Sequence, residues 1–187
     1  GMRGEETQIA GFQQLNPNWD GVIFLPGTHT KWVQMSAGEI VSFQTFMTGE
    51  MFALLSTASV LRHSVNSDGW DQEAFDQAVD EAISRPEAIA ARLFGLRAGS
   101  LLNNLPAATA KSRLSGLLIG AELAAAKPYW LGQSLAMIGP KSMGDGYAAA
   151  LAAQHVPVTR TDTAQMTLAG LKAAYAVSYT HLRAHET

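Results

Sequence analysis

Three strand candidates fall within residues 22–46, and no other feature constrains this chain as tightly. Residues 22–25 form a continuous apolar run, and 31–35 and 40–46 follow. The connections between them are only "PGTHT" (26–30) and "SAGE" (36–39). Connectors this short cannot carry a crossover, so consecutive strands must pair antiparallel as a meander. In the third strand Ile40, Ser42, Gln44 and Phe46 alternate with Val41, Phe43 and Thr45, so its two faces differ only weakly in polarity.

The rest of the chain is helical or alternates strand with helix. Residues 3–14 read as a short helix with Glu5 and Glu6 in its first turn, where acidic groups suit the helix dipole. Thr48 reads as the N-cap of a helix through 56. Phe75, Ala78, Val79, Ala82 and Ile83 recur at helical spacing, and a second helix carries Ile89, Leu93 and Leu96. The segment 110–126 is apolar nearly all round, with Gly116 and Gly120 four apart, which predicts a buried helix. A strand at 134–138, a helix at 144–154, a strand at 156–159 and a helix at 163–177 complete the order. The expected fold class is α/β: a five-stranded mixed sheet with an antiparallel meander and flanking helices, in the order of the ribonuclease H-like (actin-like ATPase) domain.

Bulk properties remove several function classes. The 187 residues are 47% hydrophobic, enough for one well-formed core. The net charge of −3 advertises neither nucleic acid nor an anionic membrane as partner. The longest apolar helix, 114–126, carries Ser115 and Glu122 and is too short to span a bilayer. Without cysteine the chain has no disulfide and no thiolate metal site; with no export signal at its start, a cytoplasmic location is expected.

Four short stretches could carry chemistry. In "FLPGTHTKW" (24–32), Gly27 allows close backbone approach, Thr28, His29 and Thr30 offer donors, and Lys31 offers charge to an anion; a decorated surface hairpin would read the same. In "MRGEETQ" (2–8) a first-turn carboxylate, Glu5 or Glu6, could act as general base, and Arg3 could grip an acidic substrate group. First-turn solvation is the plainer alternative. Glu50 in "TGEM" could orient a substrate hydroxyl or only complement a helix dipole. "IGPKSMGDGY" (138–147) is a strand–loop–helix junction against which a nucleotide base or ribose could lie, although an ordinary βα turn would also use its glycines. Its Gly-Pro-Lys-Ser start has the wrong spacing for a P-loop, and Pro140 removes an amide. His63 and His155 stand alone without a metal-ligand spacing, and the four tryptophans read as local packing.

Taken together, "MRGEETQ", "LPGTHTKWV", "FQTFMTGE", "LSGLLIGAEL" and "DTAQMTLAGL" resemble the 2-dehydro-3-deoxygalactonokinase family, in the right order and over most of residues 2–176. The resemblance implies an ATP-dependent kinase of the actin-like superfamily that phosphorylates the terminal hydroxyl of 2-dehydro-3-deoxy-D-galactonate, with Mg²⁺ held mainly by phosphates and water and no protein metal site. It implies that Gly27, Thr28, His29, Thr30 and Lys31 form a phosphate hairpin. Gly139, Pro140, Lys141, Ser142 and Tyr147 would fall on the adenosine side, although members of the family tend to have a Gly-Thr-Ser-like start there. By analogy with related sugar kinases the base is expected at Glu5, twenty-two positions ahead of Gly27, with Glu6 close behind. Arg3 and Glu50 are expected to face the substrate.

The same resemblance implies two lobes, of which residues 1–177 would be the C-terminal one. An N-terminal lobe is then the missing partner, and self-association through the uncovered cleft surface is expected. Residues 178–187, "SYTHLRAHET", resemble read-through of a sequencing adapter and are expected to be non-native. A stand-alone nuclease is disfavoured, because only Asp20 stands near the first strand. A non-catalytic ligand-binding or interaction lobe is the alternative.

Overall fold

The computed structural model describes residues 2–184. Helix α1 (Glu5–Leu15) leads into strands β1 (Gly21–Leu25), β2 (Thr30–Ser36) and β3 (Glu39–Phe46). Helices α2 (Thr48–Thr57), α3 (Gln72–Ser84), α4 (Ile89–Leu102), α5 (Ala107–Ala125) and the single turn α6 (Lys127–Trp130) follow. Strand β4 (Leu135–Ile138), helix α7 (Lys141–Ala153), strand β5 (Val158–Thr161) and helix α8 (Thr163–Ala184) close the described chain.

The sheet order is β3-β2-β1-β4-β5. The expected meander forms: β1 pairs antiparallel with β2, and β2 with β3, with a bulge at Gln34/Met35. The two later strands add in parallel beside β1, through Ile23↔Ala136 and then Ala136↔Thr159. Parallel strands joined through helices have both faces covered, which is why β1 and β4 are buried along their whole length.

The two faces of β1 serve different cores. Val22 and Phe24, with Trp32 and Met137, pack under α3, α5 and α7 through Phe75, Leu123 and Leu151. Ile23 and Leu25, with Val33 and Ile138, pack under α1 and α8 through Ile9, Phe12 and Met166. Helix α5 also buries Leu114, Leu117 and Leu118 against α4 and the Leu61–Val65 turn, hence its apolar character all round. A Cβ at Gly116 would lie 2.5 Å from the Phe75 carbonyl oxygen, and one at Gly120 2.6 Å from that of Val79. The two glycines therefore set the close approach of α5 to α3.

Four expectations shift. Thr48 is the first residue of α2, with Met47 in the cap position, and its side chain is turned inward. Strand β5 runs two residues later than the pattern suggested. Helices α5 and α7 each begin three residues earlier than expected, at Ala107 and Lys141. Helix α8 continues through Ser178 to Ala184 because composition changes there without any glycine or proline to stop it. The Ser178 and Thr180 hydroxyls donate to the Ala174 and Ala176 carbonyls and stay within the helix. His185, Glu186 and Thr187 lie outside the described residues. The tryptophans pack locally, Trp19 edge-on to Phe12 and Trp70 against Phe75, and His63 and His155 are exposed.

The start of α3 carries an acid-sensitive cap. Asp71 accepts from the Ala74 amide at 3.0 Å and from the Thr109 hydroxyl at 2.8 Å, and these bonds hold its carboxyl below the usual aspartate range. A depressed folded-state pKa stabilises above the unfolded value and is lost as pH falls through the folded one. Asp71→Ala should therefore lower the melting temperature at neutral pH and flatten its fall on acidification, as followed by thermal melts across the acid range. An unchanged acid limb would show that the cap contributes nothing.

Candidate active site

The C-terminal ends of β1 and β4, adjacent and parallel, aim their loops at one edge of the sheet, the usual ligand edge of open α/β folds. The two loops touch. A Cβ at Gly139 would stand 2.7 Å from the Pro26 ring, so the β4–α7 junction lies directly against the β1–β2 hairpin. Helix α2 backs the hairpin from another side: the Glu50 amide donates to the Thr28 carbonyl at 3.0 Å, and a Cβ at Gly49 would meet the Gly27 oxygen at 2.4 Å.

Within the hairpin, burial sorts the five expected anion donors into two groups. Thr28 and His29 are exposed and Gly27 is half-buried, a Cβ there meeting only the His29 backbone at ordinary contact distance, 3.6 Å from its carbonyl oxygen. Thr30 and Lys31 are buried and already engaged. The Thr30 hydroxyl lies 3.2 Å from the Tyr147 hydroxyl. The Lys31 ammonium lies 2.7 Å from Glu5 and 3.4 Å from the His29 carbonyl oxygen. An anion approaching the hairpin therefore meets Gly27, Thr28 and His29 first. Thr30 and Lys31 anchor the loop from below through these partners, with Lys31 also in the wall of the adjoining cleft.

The start of α1 faces this anchor. Gly4, with φ of 91°, turns the chain through the left-handed region that glycine adopts freely, and the helix begins at Glu5. Both first-turn carboxylates fold back on the amides before them, Glu5 accepting from Arg3 and Glu6 from Gly4. Only Glu5 reaches the hairpin. Burial pushes its carboxyl up, but hydrogen bonds from Lys31 and nearby amides, with the Lys31 charge, more than offset this and hold it below the usual glutamate range. Glu6 is exposed and outside the cleft.

Two hollows flank Gly27. On the α1/α8 side, a cleft of about 660 Å³ is lined by Arg3, Glu5, Thr28, Lys31, Gly139 and Thr163, among others. The Thr163 hydroxyl oxygen is buried and without a partner among the described residues. On the α5/α7 side, a hollow of about 390 Å³ is more apolar, with Thr48, Phe52, Leu118, Ser142 and Met143 in its wall. Of the other expected residues, Pro140 caps α7 and lines the larger cleft with Gly139. Lys141 points outward and pairs with Asp145 at 3.5 Å, away from both hollows. Glu50 is engaged with His29 at 2.6 Å, at the hairpin tip.

One buried acid next to the hairpin was not among the expected site residues. Glu122, from α5, is buried beneath the hairpin and accepts from Trp32 Nε1 at 2.8 Å and from the Tyr147 hydroxyl at 2.6 Å. Burial pushes its carboxyl up, and its polar neighbours Thr48, Tyr147 and Trp32 offset only part of that. Burial and the Glu122 charge together push the Tyr147 hydroxyl well above its usual value, so it stays neutral. The signal was a lone acid in the apolar stretch "LSGLLIGAELAAA". Among the described residues no three His, Asp or Glu side chains converge as a metal cage, and no helix is long and apolar enough to cross a membrane.

The comparisons agree on one family. The sequence profile of the 2-keto-3-deoxy-galactonokinase family matches residues 1–174. A protein of Rhizobium meliloti (strain 1021) named as a 2-dehydro-3-deoxygalactonokinase is 36% identical over 177 residues, covering 92% of this chain and 58% of its own length. The 2-dehydro-3-deoxygalactonokinase of Escherichia coli (strain K12) is 36% identical over 159 residues, covering 84% of this chain and 53% of its own. A solved structure described as a 2-dehydro-3-deoxygalactonokinase protein from Sinorhizobium meliloti superposes with a TM-score of 0.89 at 36% identity, over 95% of this chain and 60% of that one. The chain thus spans rather more than half the length of the relatives it matches. It belongs to the 2-keto-3-deoxy-galactonokinase family.

Proposed function

We propose that this chain is the nucleotide-binding lobe, with an actin-like (ribonuclease H-like) fold, of a sugar-acid kinase. The complete enzyme would transfer the γ-phosphoryl group of ATP to the terminal hydroxyl of 2-dehydro-3-deoxy-D-galactonate, giving the 6-phosphate. The observation that carries this reading is the 2.7 Å contact between Glu5 and Lys31, which joins a helix-start carboxylate to a glycine-containing hairpin at the mouth of a cleft. The remaining length of the relatives would supply the second lobe and its own phosphate loop. The family match ends at residue 174, which supports reading 178–187 as foreign to the lobe.

Each residue then has a task. Gly27, Thr28 and His29 receive the phosphates through backbone and side-chain donors, with Glu50 holding His29 in place. The adenosine lies along Gly139, Pro140 and Ser142 toward the apolar hollow, where Tyr147 supports the wall from inside. Arg3, with the unpartnered Thr163 hydroxyl nearby in the cleft lining, meets the substrate carboxylate. The hairpin's donors are amides and hydroxyls, which fit phosphates that bring Mg²⁺ with them rather than a metal caged by protein carboxylates. When bound, Mg²⁺ would supply charge neutralisation at the phosphates.

Glu5 accepts the proton of the terminal hydroxyl as that oxygen bonds to the γ-phosphorus and the bond to ADP breaks. Its depressed pKa makes it a weak base, which suffices when the transition state is loose and positioning dominates. Calorimetric titration with ATP·Mg should show binding to this chain, and Gly49→Ala, which drives a methyl group into the Gly27 carbonyl, should weaken it by about tenfold. Absence of binding would remove the nucleotide reading. Phosphoryl transfer to the sugar acid by this chain alone would overturn its assignment as a lobe.

A further inference from the structure

We infer that Glu122 is a positioning residue for the phosphate hairpin, locking its buried end at Thr30 to α7 through Tyr147. The inference rests on the proposal that the hairpin receives nucleotide phosphates. One carboxylate gathers donors from two elements besides its own: Trp32 from β2 and Tyr147 from α7.

The directions of these bonds follow from the donor inventory. The indole nitrogen of Trp32 can only donate. Tyr147 has a single hydroxyl proton, and it goes to Glu122 at 2.6 Å. The Tyr147 oxygen, 3.2 Å from Thr30, therefore accepts, and the Thr30 hydroxyl proton points inward. Thr30 cannot then spend that proton on a phosphate, and the neighbouring tip residues Gly27, Thr28 and His29 are left to do so. Thr48 is buried at the start of α2, just before Gly49, where a Cβ would meet the Gly27 oxygen at 2.4 Å. The exit strand of the hairpin and α7 are thus referred to one carboxylate.

A purely structural role would be filled better by an apolar side chain. A buried carboxylate without a cation is destabilising relative to a hydrophobic residue of similar volume, so its retention in the core needs a directional purpose. Tyr147 itself packs by its ring on Phe24, at 4.8 Å between centroids, and would keep that packing as phenylalanine.

The test separates position from stability. Tyr147→Phe, Glu122→Gln and the packing control Val79→Ala are compared by ATP·Mg calorimetry, thermal melting and hydrogen exchange at residues 27–31. Tyr147→Phe should raise the Kd for ATP·Mg by about tenfold and speed exchange in the hairpin, with β4 unchanged. Glu122→Gln, which turns one of its two acceptor oxygens into a donor facing donors, should do the same. Val79→Ala should lower the melting temperature at least as much while leaving Kd within about twofold. Should Glu122→Gln fail to fold, Tyr147→Phe decides alone. A Tyr147→Phe variant that binds like wild type, or an affinity loss that tracks melting temperature across all three variants, overturns the inference and leaves the nucleotide site standing. A wild-type chain that binds no ATP·Mg removes both together.

Discussion

Glu5→Gln should lower the turnover number of the catalytically competent protein by about 10²–10⁴-fold with little change in KM for ATP. The amide keeps the size of the carboxylate and can still accept from Lys31, so the cleft keeps its shape while the proton acceptor is lost. A decrease smaller than about tenfold would remove Glu5 as the base. Glu6→Gln supplies the contrast: Glu6 is exposed and outside the cleft, and its loss should leave turnover near wild type.

The pairing with Lys31 complicates that experiment in a way that can be used. Lys31 is buried, with Glu5 as its ion-pair partner among the described residues, so Glu5→Gln strands a charge and should destabilise the protein by about 3 kcal/mol. Adding Lys31→Met removes the stranded charge. The double variant should recover stability yet turn over far less than Lys31→Met alone, which keeps the carboxylate, and that difference separates loss of a base from loss of fold or of the hairpin anchor. The pH dependence has a definite sign as well. Because the Glu5 carboxyl is held below its usual range, the stability of the pair is present above the ordinary glutamate value and disappears as pH falls through the depressed one. The acid limb of turnover should lie in that same low window.

The parts of this molecule that were legible in the sequence are those governed by short chain lengths. Five- and four-residue connectors force the β1–β2–β3 meander, and the helices after it show their period. The hairpin was recognisable by residue type, but which of its donors face outward was not. Thr30 and Lys31 sit at the start of a central strand buried on both faces, so their polar groups turn to Tyr147 and Glu5, partners set by the tertiary fold. Glu50 likewise looked free to meet a ligand until His29 was brought beside it. Glu122 was visible as an anomaly, yet nothing local names its donors, Trp32 and Tyr147. The end of α8 was misread for a simpler reason: a change of composition is not a helix stop.

The α1–α8 crossing is where a single methyl group should do the most structural damage. A Cβ on Gly11 would stand 1.8 Å from the Met166 carbonyl oxygen, and one on Gly170 would stand 1.9 Å from that of Thr7. In both cases the obstacle is the backbone of the opposite helix, which cannot rotate away as a side-chain tip would. The helices must separate, and the Ile9, Phe12 and Met166 core between them and the sheet opens with them. Gly11→Ala and Gly170→Ala should each destabilise by about 3 kcal/mol, lowering the melting temperature of a chain this size by roughly 6–12 °C. The double variant should lose less than the sum, since separation made for one methyl group accommodates the other. Gly95→Ala in α4 provides the opposite sign: nothing lies within 4 Å of its Cβ position, so helix propensity alone should stabilise by about 0.5–1 kcal/mol. Gly11→Ala melting within a degree or two of wild type would mean the helices are not packed backbone to backbone. Because α1 begins at Glu5, the same displacement should also pull the carboxylate off Lys31. In the complete two-lobed enzyme, Gly11→Ala should therefore lose turnover at temperatures where it is still fully folded.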